Sequence, residues 1–406
     1  MFAGRRVLIG VTGGIATYKV CEVVSTLAKA GAEVRVVLTD GAQQFVSALT
    51  FATLARERAY TDADFWSAEH GAPLHITLGQ WAEVILIAPL TANTAAKLAL
   101  GLADNLLTNI VLATAAPILL APAMNTQMWE QPTVQSHWQV LQNRFHHLGP
   151  QTGRLACDSV GTGRLVEPLE IVDYLGSLLL TGGKKDLLGR TVLISAGGTR
   201  EFLDPVRFIG NPSSGRMGFA LAAAAAHRGA SVYLVYAPTE LAIPQGIQCE
   251  SVISADEMAE ALFSQFATAD ITIMSAAVAD VRPQTFHTEK LAKAELPKIL
   301  PLESVPDILS TLGERKRPEQ ILVGFAAQTG EDFLDLARKK LFVKHLDWIV
   351  ANRIDKPQQG FGSDTNRAIL LSKSGQCIEV PLVRKLVLAH NLLDCLVATC
   401  DPYTLV

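Results

Sequence analysis

Cys157 stands in "GRLACDSVGTGRL", a polar, glycine-rich run where a thiol lacks the apolar cover of a buried structural cysteine and a chemical role is the better reading. Asn125 ends an apolar run in "PAMNTQMW", among Met124, Met128 and Trp129, and an amide in such company must find hydrogen-bond partners. In "PLTANTAAK", Thr91, Asn93 and Thr94 gather at a helix start. N-capping accounts for one of them, and the other two suggest a polar ligand. Thr39 and Asp40 close another apolar run. His75, in "LHITLGQW", is a candidate acid or base, although a lone histidine is more often a packing or surface residue. Lys340 and Lys344, four apart, share one helical face; they can grip phosphates together or simply face water.

The elements that position these residues alternate in type. Apolar runs "RRVLIGV", "EVRVVLT", "EVILIAP" and "PILLAPA" lie among longer helical patterns in the first half. "TVLISAG", "SVYLVYA", "ITIMSAA", "ILVGFAA" and "DWIVAN" repeat the scheme in the second. Unbroken apolar runs mark strands buried on both faces of a parallel sheet, and strand–helix–strand order implies a doubly wound, Rossmann-like α/β fold. The spacing of Val20, Val23, Val24 and Leu27 predicts a helix that ends at Gly31. A late hairpin turns at Ser374-Gly375, and a helix from Arg384 closes the chain. The Gly-Gly-Lys-Lys stretch within 178–190 reads as a linker, so the expectation is two α/β domains, 1–183 and 187–406.

Both halves open a strand onto a glycine turn, "VLIGVTGGIATYK" and "VLISAGGTRE". Such a turn lets backbone approach an anion at a helix start, and a bare structural turn uses the same residues. Neither supplies the G-x-G-x-x-G of a nicotinamide-dependent oxidoreductase. The chain has 406 residues, 49% hydrophobic and 18% charged, with net charge −4, which gives no electrostatic case for nucleic acid. Six cysteines make no CxxC pair; most lie in apolar runs, as buried thiols do, and point to a reducing cytoplasm. No apolar stretch approaches the roughly 18–20 residues of a membrane span.

"TGGIATYK", "PLTANT", His75 before "LGQW", "PAMNTQMW" and the Cys157 loop together resemble the flavin-containing cysteine decarboxylases. From "GGTREFLDPVRFIGNPSSGRMG" through "AAVADVRP", "EKLAK" and "GFAAQT", the second half resembles phosphopantothenate–cysteine ligase. In this order the halves are similar to the bacterial bifunctional enzymes of coenzyme A synthesis, from Arg5 to about Leu396.

The resemblance implies that the first half, flavodoxin-like in fold, holds FMN against Gly13, Gly14, Ile15, Ala16, Thr39, Thr91, Ala92, Asn93 and Thr94. It gives His75 a part in the first oxidation, Asn125 (with Met124) the substrate carboxylate, and Cys157 the final proton, through a thioaldehyde and an ene-thiol. For the ligase it implies CTP and Mg²⁺, with Met274, Ser275, Ala276, Asp280, Lys290, Pro306, Asp307, Ile308, Leu309, Phe325, Lys340 and Lys344 around the nucleotide. Metal ligands are not assigned. Lys290 would be the catalytic lysine that helps form the acyl-cytidylate, Asn211 would hold it, and Arg207, Ser213 and Ser214 would hold the substrate phosphate. The implied partners are 4′-phosphopantothenate, L-cysteine and further copies of the chain, assembled from decarboxylase trimers whose flavin site spans subunits. Flavoproteins that regulate phosphatases share the first fold, but the set His75, Asn125 and Cys157 and the complete second half argue against them. Flavin prenyltransferases share it too and leave the second half unexplained. Gly198 replaces the proline of "AGPTRE" relatives, an expected change in loop stiffness alone. Gln328 stands where some relatives carry a carboxylate.

Overall fold

Strands buried on both sides need a covering layer on each face, and the protein builds two such sandwiches. The computed structural model describes residues 1–353 and 362–400, in two compact units, Met1–Lys184 and Lys185–Val406.

In the first unit, β1 (Arg6–Val11), β2 (Glu33–Leu38), β3 (Ala59–Tyr60), β4 (Val84–Leu90), β5 (Ile118–Pro122) and β6 (His146–His147) pair in parallel in the order β3-β2-β1-β4-β5-β6. All seven residues of β4 are buried. The helix Thr17–Lys29 buries Val20, Val23, Val24 and Leu27 against one face, as the spacing predicts. Leu78, Leu107, Ile110 and Leu141 cover the other. The order reverses between β2 and β4 around β1, and ligands of open α/β sheets bind at the carboxyl ends beside such a reversal. A polar hairpin, β7 (Gln151–Arg154) and β8 (Val160–Arg164), lies outside this sheet.

The second unit follows the same plan. Its strands are β9 (Thr191–Ala196), β10 (Arg200–Phe202), β11 (Phe208–Gly210), β12 (Ser231–Tyr236), β13 (Gln248–Ser251), β14 (Ile271–Met274), β15 (Val281–Pro283), β16 (Leu302–Ser304), β17 (Ile321–Gln328), β18 (Trp348–Arg353), β19 (Thr365–Ser372) and β20 (Cys377–Arg384). Eight form a sheet in the order β13-β12-β9-β14-β17-β18-β19-β20, parallel up to β18 and antiparallel for the last two pairings. The expected late hairpin is β19–β20, and the closing helix is Lys385–Cys400.

Two expectations need correction. Leu178–Thr181, placed in the linker, is the last turn of the helix Pro168–Thr181, whose apolar side packs into the first core. Of the described cysteines, Cys157, Cys249 and Cys377 are exposed, and Cys21 and Cys395 are half-buried. Cys249 and Cys377 lie on β13 and β20, the two edges of the large sheet, where apolar neighbours do not guarantee cover.

One buried cation ties the second unit together. Arg228, 2% exposed, donates to both oxygens of Asp186 at 2.7 and 2.6 Å and to Asp394 at 2.7 Å. It also donates to the carbonyl of His390 in the final helix. Burial, and then the Arg228 charge, push the His390 imidazole down to about 4. Unfolded imidazole takes a proton near pH 6.5, so His390 contributes stability fully above that pH and loses it as pH falls toward 4. Urea unfolding of the full chain should show the wild type losing about 2 kcal/mol more than His390→Gln between pH 7 and pH 5. Equal losses would refute this coupling.

Candidate active sites

The first site forms where β1 and β4 end side by side. Buried Thr12 donates its hydroxyl to Pro89 O at 2.5 Å and accepts the Thr91 N–H at 3.1 Å, which locks the two strand ends together. A Cβ on Gly13 would lie 2.8 Å from the Gly41 carbonyl carbon, so the turn after β1 needs glycine to let the Thr39–Gly41 backbone approach. The helix Thr17–Lys29 starts at Ala16, whose side chain cannot cap its first amides. Thr91 caps the next helix by accepting the Thr94 N–H, which accounts for part of the polar cluster; Asn93 stays exposed.

Gly13, Ala16, Thr39, Gly41, Thr91, Asn93 and Thr94 line a cavity of about 1080 Å³ that also includes Ile15, Ala92, Met124, Asn125 and Cys157. Amide and hydroxyl donors with Ile15, Met124, Met128 and Leu165 around them suit a flat aromatic ring carrying a phosphate tail.

Sequence spacing does not show why Asn125 meets Cys157. Cys157 lies at the tip of the β7–β8 hairpin. Gly163 fastens that hairpin to the end of β5: its carbonyl accepts the Met124 N–H at 2.9 Å. Its φ is 147°, and a Cβ there would come within 2.1 Å of Met124 O. Asn125 then divides its amide. Oδ1 accepts the Gln127 N–H at 2.8 Å, and Nδ2 donates to Cys157 Sγ at 3.3 Å. Ser159 Oγ lies 3.1 Å from the same sulfur. The Ser159 hydroxyl and backbone, followed by the Asn125 amide, hold the thiol below its ordinary range.

His75 does not line this cavity. It lies on the helix Leu74–Trp81, half-buried and edge-on to Phe65 at 5.5 Å, and its Nδ1 is buried without a partner. Sequence reasoning did not single out Lys19 and Arg164, which line the cavity and both engage Glu167. Lys19 was already present in the glycine-turn motif.

The second site lies at the carboxyl edge of β9, β14 and β17. Ser275 donates to Ser195 O at 2.6 Å, and Ala276 N–H to Ser195 Oγ at 3.1 Å. Asn211 Nδ2 donates to Val278 O at 3.4 Å. A Cβ on Gly198 would fall 2.5 Å from Asn211 O. Gly198 therefore also sets how closely the Asn211 loop approaches, which corrects the expectation of a change in stiffness alone.

A cavity of about 670 Å³ brings together Asn211, Ser213, Ser214, Met274, Ser275, Ala276, Asp280, Pro306, Asp307, Ile308, Leu309, Phe325, Lys340 and Lys344. Lys340 donates to Phe325 O at 2.9 Å, and Lys344 pairs with Asp307 at 2.7 Å. Burial, then the Lys344 charge, push the Lys340 ammonium below its usual range against the pull of Asp307 and Asp280. Burial raises the Asp307 carboxyl, but Lys344 and the Ser310 N–H outweigh it and hold it low.

Two expected members lie elsewhere. Neither Lys290 nor Arg207 lines this cavity. Arg207 donates to buried Asp204 at 2.5 Å and to Leu291 O at 3.2 Å. Burial opposes ionisation of Asp204, yet the N–H groups of Val206, Arg207 and Leu291 and the Arg207 side chain hold it at about 2. Lys290, beside Leu291, is exposed. Among the described residues no cluster of His, Cys, Asp and Glu could hold a metal ion, and no helix is long and apolar enough to cross a membrane.

Comparison with known proteins follows the same division. Residues 1–180 match the flavoprotein family, and residues 187–399 match the DNA/pantothenate metabolism flavoprotein C-terminal domain. The coenzyme A biosynthesis bifunctional protein CoaBC of Bacillus subtilis is 44% identical over 396 residues, 97% of each chain. That of Escherichia coli (strain K12) is 40% identical over 403 residues, 98% of each chain. A crystal structure of the C-terminal domain of a CoaBC protein is 39% identical, covers 54% of this chain and all of its own, and has a TM-score of 0.47. The chain belongs to the family of bifunctional coenzyme A biosynthesis proteins, a flavoprotein decarboxylase half followed by a phosphopantothenate–cysteine ligase half.

Proposed function

We propose that the second unit joins 4′-phosphopantothenate to L-cysteine with CTP and Mg²⁺, through an acyl-cytidylate. The first unit then decarboxylates 4′-phospho-N-pantothenoylcysteine to 4′-phosphopantetheine. The observation that carries this reading is the Asn125–Cys157–Ser159 cluster, a thiol tuned by hydrogen bonds inside a cavity that fits a flavin.

FMN, when bound, supplies the reversible two-electron oxidation that lets CO₂ leave without an unstabilised carbanion. Gly13, Gly14, Ile15 and Ala16 would receive its phosphate end, with Thr39, Thr91, Ala92, Asn93 and Thr94 along its length. Asn125 and Met124 hold the substrate carboxylate, and the depressed thiol of Cys157 suits it to give up the last proton. His75, away from its own chain's cavity, serves the flavin site of a neighbouring copy in a trimer; the exposed Ile15 and Trp66 favour such an assembly.

In the ligase the carboxylate must first acquire a leaving group. Lys340 and Lys344 offer positive charge to the triphosphate, while Met274, Ser275, Ala276, Pro306, Ile308, Leu309 and Phe325 enclose the nucleoside. Asp280 reads the base, and Asn211 holds the activated acyl group. Lys290 and Arg207 bring their charges from the segments joined by Asp204. We place the protein in the cytoplasm.

Purified protein given 4′-phosphopantothenate, cysteine, Mg²⁺ and each triphosphate in turn should release CO₂ and form phosphopantetheine with CTP. Neither product with any nucleotide would sink the assignment. Cys157→Ser should keep bound FMN and CO₂ release while saturated product falls about a hundredfold; a normal yield contradicts the role of the thiol. Lys340→Met should raise the KM for CTP about tenfold and leave the decarboxylation of supplied phosphopantothenoylcysteine unchanged. Equal loss in both reactions would make the lysine structural.

A further inference from the structure

The ligase seats three molecules, and the residues assigned to nucleotide and acyl group leave one end of the second cavity unused. Asn352 on β18 and Asn366 on β19 line that end at 6% and 4% exposure, with Lys385 at 7%. Asn366 Oδ1 is buried without a hydrogen-bond partner, an expensive condition that a ligand donor would relieve. Three residues before it, Ser363 O accepts from Lys385 Nζ at 2.6 Å. Arg216, at the start of its helix and paired with Asp364, lines the same end. Two cations against one carboxylate leave this end net positive, beside an acceptor that lacks a donor.

An α-amino acid fits this pairing, because one carbon carries both a carboxylate and a nitrogen with hydrogens to give. Ionised phosphate oxygens only accept, so they suit the cations but not the orphan carbonyl. Resting on the ligase reading above, we infer that this end is the L-cysteine seat, with the carboxylate toward Lys385 and the amine donating to Asn366 Oδ1. The bound amine keeps its lone pair for the acyl carbon. The C–N bond forms, and the acyl C–O bond to the α-phosphate breaks with its electron pair on the nucleoside monophosphate. The original ammonium loses two protons to solvent, one before attack and one after.

Asn366→Ala should raise the KM for cysteine about tenfold. It should leave pyrophosphate release from CTP and 4′-phosphopantothenate, with hydroxylamine trapping the acyl nucleotide, within about twofold of wild type. An unchanged KM for cysteine overturns the inference. So does pyrophosphate release falling in step, which would give this end to the nucleotide. The unaltered protein provides a test independent of folding. Cysteamine, which lacks the carboxylate, should react with kcat/KM about a hundredfold below cysteine, and Lys385→Met should erase most of that preference. Equal use of both amines by the wild type refutes the seat. Failure of the wild type to release pyrophosphate at all would refute the ligase reading instead.

Discussion

A parallel sheet covered on both faces has one place left for chemistry, the edge where its strands hand over to helices. Both units obey this constraint. There the backbone presents amides without partners, the strand ends crowd together, and small residues decide how close they come. Thr12 joining β1 to β4, and Ser195 joining β9 to β14, do the same task with different atoms. Once these edges are fixed, the identity of each site depends on what reaches over them from outside the sheet.

In the first unit that outside element is the β7–β8 hairpin, which delivers a thiol to an amide. In the second it is a set of charges drawn from helices. Lys340 and Lys344 repel each other, and Asp307 stands between them and full repulsion. Desolvated positive charge held in such balance would be stabilised by an anion that approaches both lysines.

The parts legible in the sequence were those with a strong local signal. Doubly buried strands such as Val84–Leu90 read as unbroken apolar runs, and Val20, Val23, Val24 and Leu27 mark a helix face. Asn125 and Cys157 stood out because each conflicted with its surroundings. The β7–β8 hairpin was not legible, because "QTGR" and "VGTGR" bury no continuous face and carry no period. Nor could spacing reveal that Gly163 abuts Met124, across 39 positions, or that the β10–β11 hairpin folds back to set Gly198 against Asn211. Asn366 was invisible for another reason: an asparagine in a strand looks ordinary until its carbonyl is found without a partner.

Arg228 has a wider meaning than its ion pairs. By gripping Asp186 and Asp394 at once, it holds the segment that leads into β9 beside the last helix of the second unit. A module whose two ends meet can be spliced behind another protein without opening its own core. The guanidinium thus closes the second unit on itself, so that its fold needs only a short connecting segment to be joined to the unit before it.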